Sequence, residues 1–289
     1  ADRVAVIDAR RQEVVARVAV GSGPAFVDFF PDGRQAFVVN VAANSVTVID
    51  CARRQPAATI AVGRSPGPAR ASPDGRLLLV PNRADSTLAV IDRSSLRLVA
   101  TIPVAAQPEQ VAILPDGSKA FVAASAAGQV SAIDLARRVL LAHIPAGKSP
   151  TALALKPDGG ELFVANSGSD TVTVINTWAN DATETLTAGR QPSQVVVTQD
   201  GARLYVASFG SGQVFAIAIG TRKVLSSVPV GWQPTAMALS PDEMLLLVVN
   251  TGSNDLAVVA TASHSLVTLI PVGLAPRALV VVAVPAGVG

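Results

Sequence analysis

Arg64, Arg83, Lys148 and Arg190 sit in short segments that also hold Gln107, Gln191, Gln233, Phe209 and Trp232. Cations beside carboxamides and aromatic rings can hold an anion, a sugar-like molecule, or the stacked bases of single-stranded nucleic acid. A solvated, soluble loop surface has the same composition, so both readings stand. A second group follows a recurring proline: Asp28, Arg70, Glu109 and Arg277. Asp28 and Arg70 occupy matching positions 42 residues apart, where the other repeats carry Ala or Val. They are expected to form a buried pair, because an unpartnered charge there is costly. Asp28 and Glu109 with Arg70 are also the residues a metal-assisted hydrolase would use. Such a site needs several carboxylates converging on a divalent ion, and only these two are available.

Other chemistry is excluded by residue type. Asp8, Asp50, Asp92 and Asp134 fall one per repeat. They cannot converge on one ion, and are expected to accept hydrogen bonds from backbone amides in a hairpin. The chain has two histidines, His143 and His264, and one cysteine, Cys51. The histidines fall on an outer strand and a hairpin, so neither a copper or haem centre nor a Ser-His-Asp triad is expected. Cys51 has no neighbouring histidine, cannot form an internal disulfide, and is not expected to be a nucleophile. No phosphate-cradling glycine loop is present. No catalytic residue, metal or cofactor is assigned.

The elements that position these residues are set by a repeat. Pro24, Pro66, Pro108, Pro150, Pro192, Pro234 and Pro276 each follow the last by 42 residues. Pro31-Asp32-Gly33 returns at Pro73, Pro115 and Pro157, then decays to Gln199-Asp200-Gly201 and Pro241-Asp242-Glu243. Within one unit, residues 25–30, 35–39, 45–49 and 57–62 are short apolar or alternating runs between Gly, Pro, Asn and Asp clusters, which predicts four strands. Four antiparallel strands in about 42 residues is a propeller blade. The fold class predicted is all-β, a seven-bladed β-propeller forming one domain over residues 1–289.

In such a ring the turns from strand four to strand one and from strand two to strand three open on one face. That face receives Arg64, Arg83, Gln107, Lys148, Arg190, Gln191, Phe209, Trp232 and Gln233. First strands line the channel, where Asp28, Arg70, Glu109 and Arg277 are expected. The opposite face carries hairpins with Arg10-Arg11, Arg53-Arg54, Arg137-Arg138 and Arg222-Lys223. This basic rim either meets a polyanion or is compensated locally by Asp32, Asp74 and Asp116.

The ends are expected to meet. Residues 3–7 and 13–20 read as the third and fourth strands of a blade, and residues 277–282 as its first. The second strand would start near Val288, one residue before the terminus. A trimmed end and an open slot for a partner's strand both fit. The composition is 49% hydrophobic with a formal charge of +2. No apolar run nears the ~20 residues of a membrane-spanning helix, and the charge gives no strong pull toward nucleic acid. The chain opens at Ala1 without methionine, which fits a processed exported protein or a trimmed chain.

Phe37-Val38-Val39-Asn40, Leu79-Val80-Pro81-Asn82, Phe163-Val164-Ala165-Asn166 and Leu247-Val248-Val249-Asn250 resemble the Tyr-Val-Thr-Asn signature. With Ser45-Val46-Thr47-Val48-Ile49-Asp50 and the Pro-Asp-Gly turn, the chain resembles the YVTN family of β-propeller repeats over nearly its whole length. The resemblance implies an exported, surface-layer-like protein, monomeric, in the periplasm or at the cell surface, binding a small ligand or a protein partner. Lactonases and redox-enzyme domains share such propellers. Phe121-Val122-Ala123-Ala124 and Tyr205-Val206-Ala207-Ser208 lose the asparagine, which reads as loosened selection or local specialisation.

Overall fold

The computed structural model describes residues 2–8, 10–279 and 281. It contains 26 strands and, among the described residues, no helix. The strands form a two-stranded sheet, here blade I (Arg3–Asp8 and Glu13–Ala19), followed by six four-stranded sheets, blades II to VII. This is the all-β, seven-bladed β-propeller class. The chain divides into two compact units, residues 1–144 and 145–289. Unit 1 holds blades I to IV and unit 2 holds blades V to VII.

Blade II shows how the sequence produces a sheet. Its strands are Pro24–Phe29, Gln35–Asn40, Ser45–Asp50 and Gln55–Ala61. The second and third pair antiparallel without a break, from Gln35 with Asp50 to Asn40 with Ser45. Both are buried on both faces, while the fourth is mostly exposed. Apolar residues therefore run unbroken in the middle strands and thin out at the edge. Phe30, Phe37, Val39, Val46 and Val48 of blade II pack on Leu78, Val80, Ala89 and Ile91 of blade III. In unit 2, Phe163, Val172 and Val174 of blade V pack on Leu204, Val206 and Ile217 of blade VI in the same way.

The turns follow the aspartates. Asp32 Oδ1 accepts the Arg34 amide at 3.0 Å, with Gly33 at φ 67°, as the left-handed position requires. The decayed turns keep this geometry: Asp200 accepts from Ala202 at 2.9 Å and Asp242 from Met244 at 3.1 Å. The hairpin aspartates behave as expected. Asp50 accepts the Arg53 amide at 2.8 Å, Asp92 the Ser95 amide at 2.8 Å and Asp134 the Arg137 amide at 2.8 Å. Asn176 takes the same role uncharged, accepting from Ala179 at 2.9 Å.

Hydrogen bonds from the Ser94 hydroxyl, the Ser95 amide and the Ser95 hydroxyl hold the Asp92 carboxyl down at about 2. Asp32, Asp50, Asp74, Asp116, Asp158, Asp200 and Asp242 are lowered too, through side-chain and backbone donors. A carboxyl lowered by folding contributes stability that is complete above its ordinary value of 3.8 and is lost as pH falls toward about 2. Acid unfolding should therefore run through that window. Asp92→Asn keeps the backbone acceptor, as Asn176 does, and should flatten the acid limb of a circular-dichroism titration. An unchanged limb would show that the Asp92 charge contributes nothing there.

The second-strand asparagines are fully buried: Asn40, Asn82, Asn166 and Asn250. Asn40 donates to the Ser45 and Thr47 hydroxyls at 3.1 and 2.9 Å, and Asn82 to Thr87 at 3.1 Å. Each amide lies against the glycine that opens its own blade's G-x-x-P turn. A Cβ on Gly21, Gly63, Gly147 or Gly231 would come within 2.5 to 2.8 Å of the Asn40, Asn82, Asn166 or Asn250 side chain. Blade IV has Ala124 where blades II, III, V and VII have Asn, and there the facing residue is Ala105 instead of Gly; blade VI has Ser208 and keeps Gly189. The departure at Ala124 is thus a compensated exchange of side-chain volume.

Blade III departs from the repeat. Its first strand is only Arg70–Ala71, with an isolated bridge from Pro66 to Asn82. Pro66, Pro68 and the facing Pro81 lack the N–H that a ladder needs. The closing strand expected at 277–282 lies partly outside the described residues, and residues 277–279 and 281, which are described, carry no strand. The strand expected near Val288 lies outside the described residues.

Candidate functional site

In unit 1 the interrupted first strand of blade III leaves a notch in the loop face. Gly67 donates to the Pro81 carbonyl at 2.7 Å and has no side chain. A Cβ there would meet Pro81 Cγ at 3.3 Å, the Glu109 carbonyl at 3.4 Å and Arg83 Nε at 3.7 Å. Across this gap Arg83 of blade III forms an ion pair with Glu109 of blade IV. The Ser125 hydroxyl donates to the other Glu109 oxygen at 2.8 Å. The Glu109 side chain is 20% exposed and that of Arg83 43%. Ser65, Arg83, Ala84, Gln107 and Glu109 line a cleft of about 290 Å³. Ser65 and Gln107 hold left-handed backbone conformations, φ 54° and 55°, and Ser65 is fixed by its amide donating to Asn44 Oδ1 at 2.9 Å.

The cleft can bind polar matter. One guanidinium edge of Arg83 is taken by Glu109, and its remaining donors are free to serve a ligand oxygen. The Gln107 amide can donate or accept, and Glu109, oriented by Ser125, can accept. Sequence reasoning singled out Arg83, Gln107 and Glu109 but not Ser65 or Ser125. The interrupted Pro66-Gly67-Pro68 run was the available signal for the notch.

Arg64 is not free. Its Nε meets Asp85 Oδ1 at 2.6 Å, and its backbone amide donates to Asp85 Oδ2 at 2.6 Å. Those bonds, the backbone one first, hold the Asp85 carboxyl below the usual range. Asp28 and Arg70 also pair, at 3.9 Å, but their side chains are 51% and 56% exposed. The pair lies at the surface, not buried as expected. Blade II's first strand is itself exposed, at Phe26, Val27 and Phe29.

In unit 2, Lys148, Arg190 and Trp232 each follow a loop glycine at the same repeat position. Arg190 Nη2 donates to the Gly210 carbonyl at 3.1 Å. Gln191 donates its amide to Asp170 Oδ1 at 2.7 Å and accepts the Phe209 amide at 2.9 Å. Gln191 and Gln233 hold φ 51° and 56°. Trp232 is 75% exposed and Phe209 half-buried. Arg277 is exposed and outside any strand.

The hairpin face has two further clefts. One of about 710 Å³, in unit 1, is lined by Arg34, Asp50, Cys51 and Arg93 among others. Burial and the Asp50 charge push the Cys51 thiol up, so it is not a ready nucleophile. The other, of about 570 Å³ in unit 2, surrounds Arg222 with Glu161 and Glu184. His143 contacts the Ser131 hydroxyl at 3.0 Å on a fourth strand, and burial lowers His264 on its hairpin. Among the described residues, no group of three or more His, Cys, Asp or Glu could hold a metal ion.

A family model described as Cytochrome D1 heme domain matches residues 1–195. No curated protein matches the sequence. Among solved structures the chain is similar to Kuenenia stuttgartiensis hydrazine synthase, at 23% identity over 88% of each chain with a TM-score of 0.73. It is similar to a functionally unknown protein from Desulfotomaculum acetoxidans DSM 771, at 18% identity over 93% of this chain and 92% of that one, TM-score 0.75. It is also similar to the dihydro-heme d1 dehydrogenase NirN in complex with DHE, at 18% identity and TM-score 0.77, covering 93% of this chain and 61% of NirN. At these identities the structural likeness speaks to the fold alone.

Proposed function

The chain belongs to the cytochrome D1 heme domain family, and we propose that it is a non-catalytic binding β-propeller that takes a small polar ligand in its loop face, outside the cytoplasm. The observation that carries this reading is the notch beside Gly67, where Arg83 and Glu109 meet across two blades. Nothing in the repeat requires it: the other full blades have first strands of six residues and no proline pair at this place. The exported location rests on the YVTN resemblance. No helix of the described residues is long and apolar enough to cross a membrane.

The family implies a haem-type group, and NirN's solved structure holds DHE. Iron in such groups is held by His, Cys, Met or Tyr. Among the described loop-face residues none of these types occurs. His143 and His264 lie on an outer strand and a hairpin, and Cys51 on the hairpin side. Tyr205 is buried in a second strand and Met237 in a first strand, while Met244 follows an Asp242 turn of the hairpin side. The described residues do not fit an iron-ligating site. The nucleic-acid reading also weakens in unit 1, since Arg64 and Arg83 are both neutralised by carboxylates.

The test is calorimetric titration with citrate, glucuronate and glycerol phosphate, alongside ferric haem followed by absorbance. At least one of the three polar probes should bind the wild type. Arg83→Ala should weaken it roughly tenfold or more, the scale of a lost charge-assisted hydrogen bond. Haem should give no spectrum of a histidine-ligated iron. Three silent titrations, or binding indifferent to Arg83→Ala, would remove the notch as the site; a histidine-ligated haem spectrum would return the protein to the haem-binding reading.

A further inference from the structure

The residue after the loop glycine divides the two units. In unit 1 it is Ser22, Arg64 and, after Ala105 in the glycine's place, Ala106; in unit 2 it is Lys148, Arg190, Trp232 and Leu274. At Arg64, Lys148, Arg190 and Trp232 the backbone amide of this position is satisfied by the side chain 21 residues further on. In blade III that residue is Asp85, which accepts from Arg64 at 2.6 Å and also neutralises its guanidinium. For Lys148, Arg190 and Trp232 in unit 2 it is a serine. Ser169 accepts the Lys148 amide at 3.0 Å, Ser211 the Arg190 amide at 2.8 Å and Ser253 the Trp232 amide at 3.0 Å. The backbone is capped equally well, but the cations keep their charge. Among the described residues Lys148 and Arg190 have no carboxylate partner, and Asp170, an exposed acid of this face, accepts the Gln191 backbone amide and pairs with neither cation.

The next two positions are apolar and bare. Trp232 is 75% exposed and Leu274 90%, the largest exposure of any large apolar side chain described. Three of these side chains stand over a glycine of the neighbouring turn: a Cβ on Gly168, Gly210 or Gly252 would lie 3.1, 3.3 and 3.1 Å from the Cβ of Lys148, Arg190 and Trp232. The first strands of blades V, VI and VII run side by side within the unit, and Ala275, next to Leu274, donates its backbone amide to Asn254 Oδ1 of blade VII at 2.8 Å. The surface therefore reads in order as cation, cation, indole, isobutyl, the first three each standing over a glycine. Neither stability nor the capping geometry explains that order.

We propose that this face of unit 2 docks an acidic segment of a partner polypeptide, its carboxylates on Lys148 and Arg190 and an adjoining apolar side chain against Trp232 and Leu274. Charge complementarity selects an acidic partner. The exposed indole and leucine select a polypeptide over a simple polyanion, because Trp and Arg anchors flanked by apolar surface are what protein interfaces use. This surface belongs to the other unit from the Arg83–Glu109 notch, and either can fail without the other.

The test is selection from a random-peptide phage library on the intact protein, followed by affinity measurement with the selected peptides. Peptides pairing Asp or Glu with aromatic or aliphatic residues should be enriched. Lys148→Ser with Arg190→Ser, and separately Trp232→Ser, should each weaken them roughly tenfold or more, with the melting temperature unchanged. The proposal is overturned if nothing is enriched, if the selected peptides lack acidic residues, or if they bind the variants as well as the wild type. Tighter binding of single-stranded oligothymidylate than of any selected peptide, lost in the same variants, overturns it in favour of nucleic acid.

Discussion

Gly63→Ala should destabilise the protein by about 2–3 kcal/mol, the usual scale of overpacking a rigid interior, and Asn82→Ala in the same chain should recover part of that loss, since it removes two of the three crowded atoms and keeps the Cβ. The added methyl would lie 2.7 Å from Cγ and Nδ2 and 2.8 Å from Cβ of Asn82. Asn82 is fully buried and tied to Thr87 at 3.1 Å, so it has nowhere to retreat. Gly63 does not hold a left-handed conformation, so the penalty is steric. Asn82→Ala alone should also destabilise, by about 1 kcal/mol for the lost hydrogen bond. The two changes together should then cost less than their sum, the signature of direct contact. Blade IV has already made both exchanges, at Ala105 and Ala124, and its strands pair in full register from Lys119 with Asp134 to Ala124 with Gln129. Urea unfolding of the four proteins settles the matter: an additive double variant would mean that the glycine is kept for some other reason.

Arg222→Ala is expected to be the most damaging single change on the hairpin face, at about 2 kcal/mol. Arg222 of blade VI reaches back to blade V, where it pairs with Glu161 and meets Glu184 at 3.0 Å. It also donates to the Ile219 carbonyl at 2.6 Å, and its guanidinium lies 5.8 Å from the Phe163 ring centre. Burial works against its charge, but hydrogen bonds to Glu161 and Glu184 more than offset that and raise its pKa. Removing it leaves two carboxylates facing each other without a cation. The side chains are 21% to 44% exposed, so solvent screens part of that loss and the effect stays below the ~3–5 kcal/mol of a fully buried pair. Arg222→Lys should recover little, since an ammonium cannot serve two carboxylates and a carbonyl in one plane. The drop should shrink in high salt. A melting temperature within error of wild type would mean that blades V and VI are held by their apolar cores alone.

Much of the architecture was written in short-range features. Seven prolines at one interval announced the blades, and Asp-Gly pairs marked turns whose hydrogen bonds are present as expected, even where glycine gives way to Glu243 at φ 56°. The hairpin aspartates were read as caps and are caps. The candidate site was legible only in part. Arg83, Gln107 and Glu109 were named, but that Arg83 crosses to Glu109 over a missing Cβ was not visible, nor that Ser125 steadies the carboxylate. The loss of asparagine at Ala124 looked like relaxed constraint until Ala105 was found opposite it. Asp28 and Arg70 were expected to be buried because first strands should face inward, yet they pair in the open.

What the chain determined by itself is the part governed by near neighbours. Proline and glycine restrict their own dihedrals, alternation and apolar runs fix which strands are covered, and an aspartate caps an amide two or three residues on. The folded structure alone decided which charges meet. Arg83 and Glu109 are 26 residues apart, Arg93 and Asp32 61 apart, and Arg222 and Glu161 61 apart. Such partners are chosen by how one sheet lies on the next, at a separation where spacing in the chain no longer sets distance in space. Within one blade the repeat itself carries the difference: Arg64 is neutralised because Asp85 stands 21 residues on, where Lys148 and Arg190 have Ser169 and Ser211.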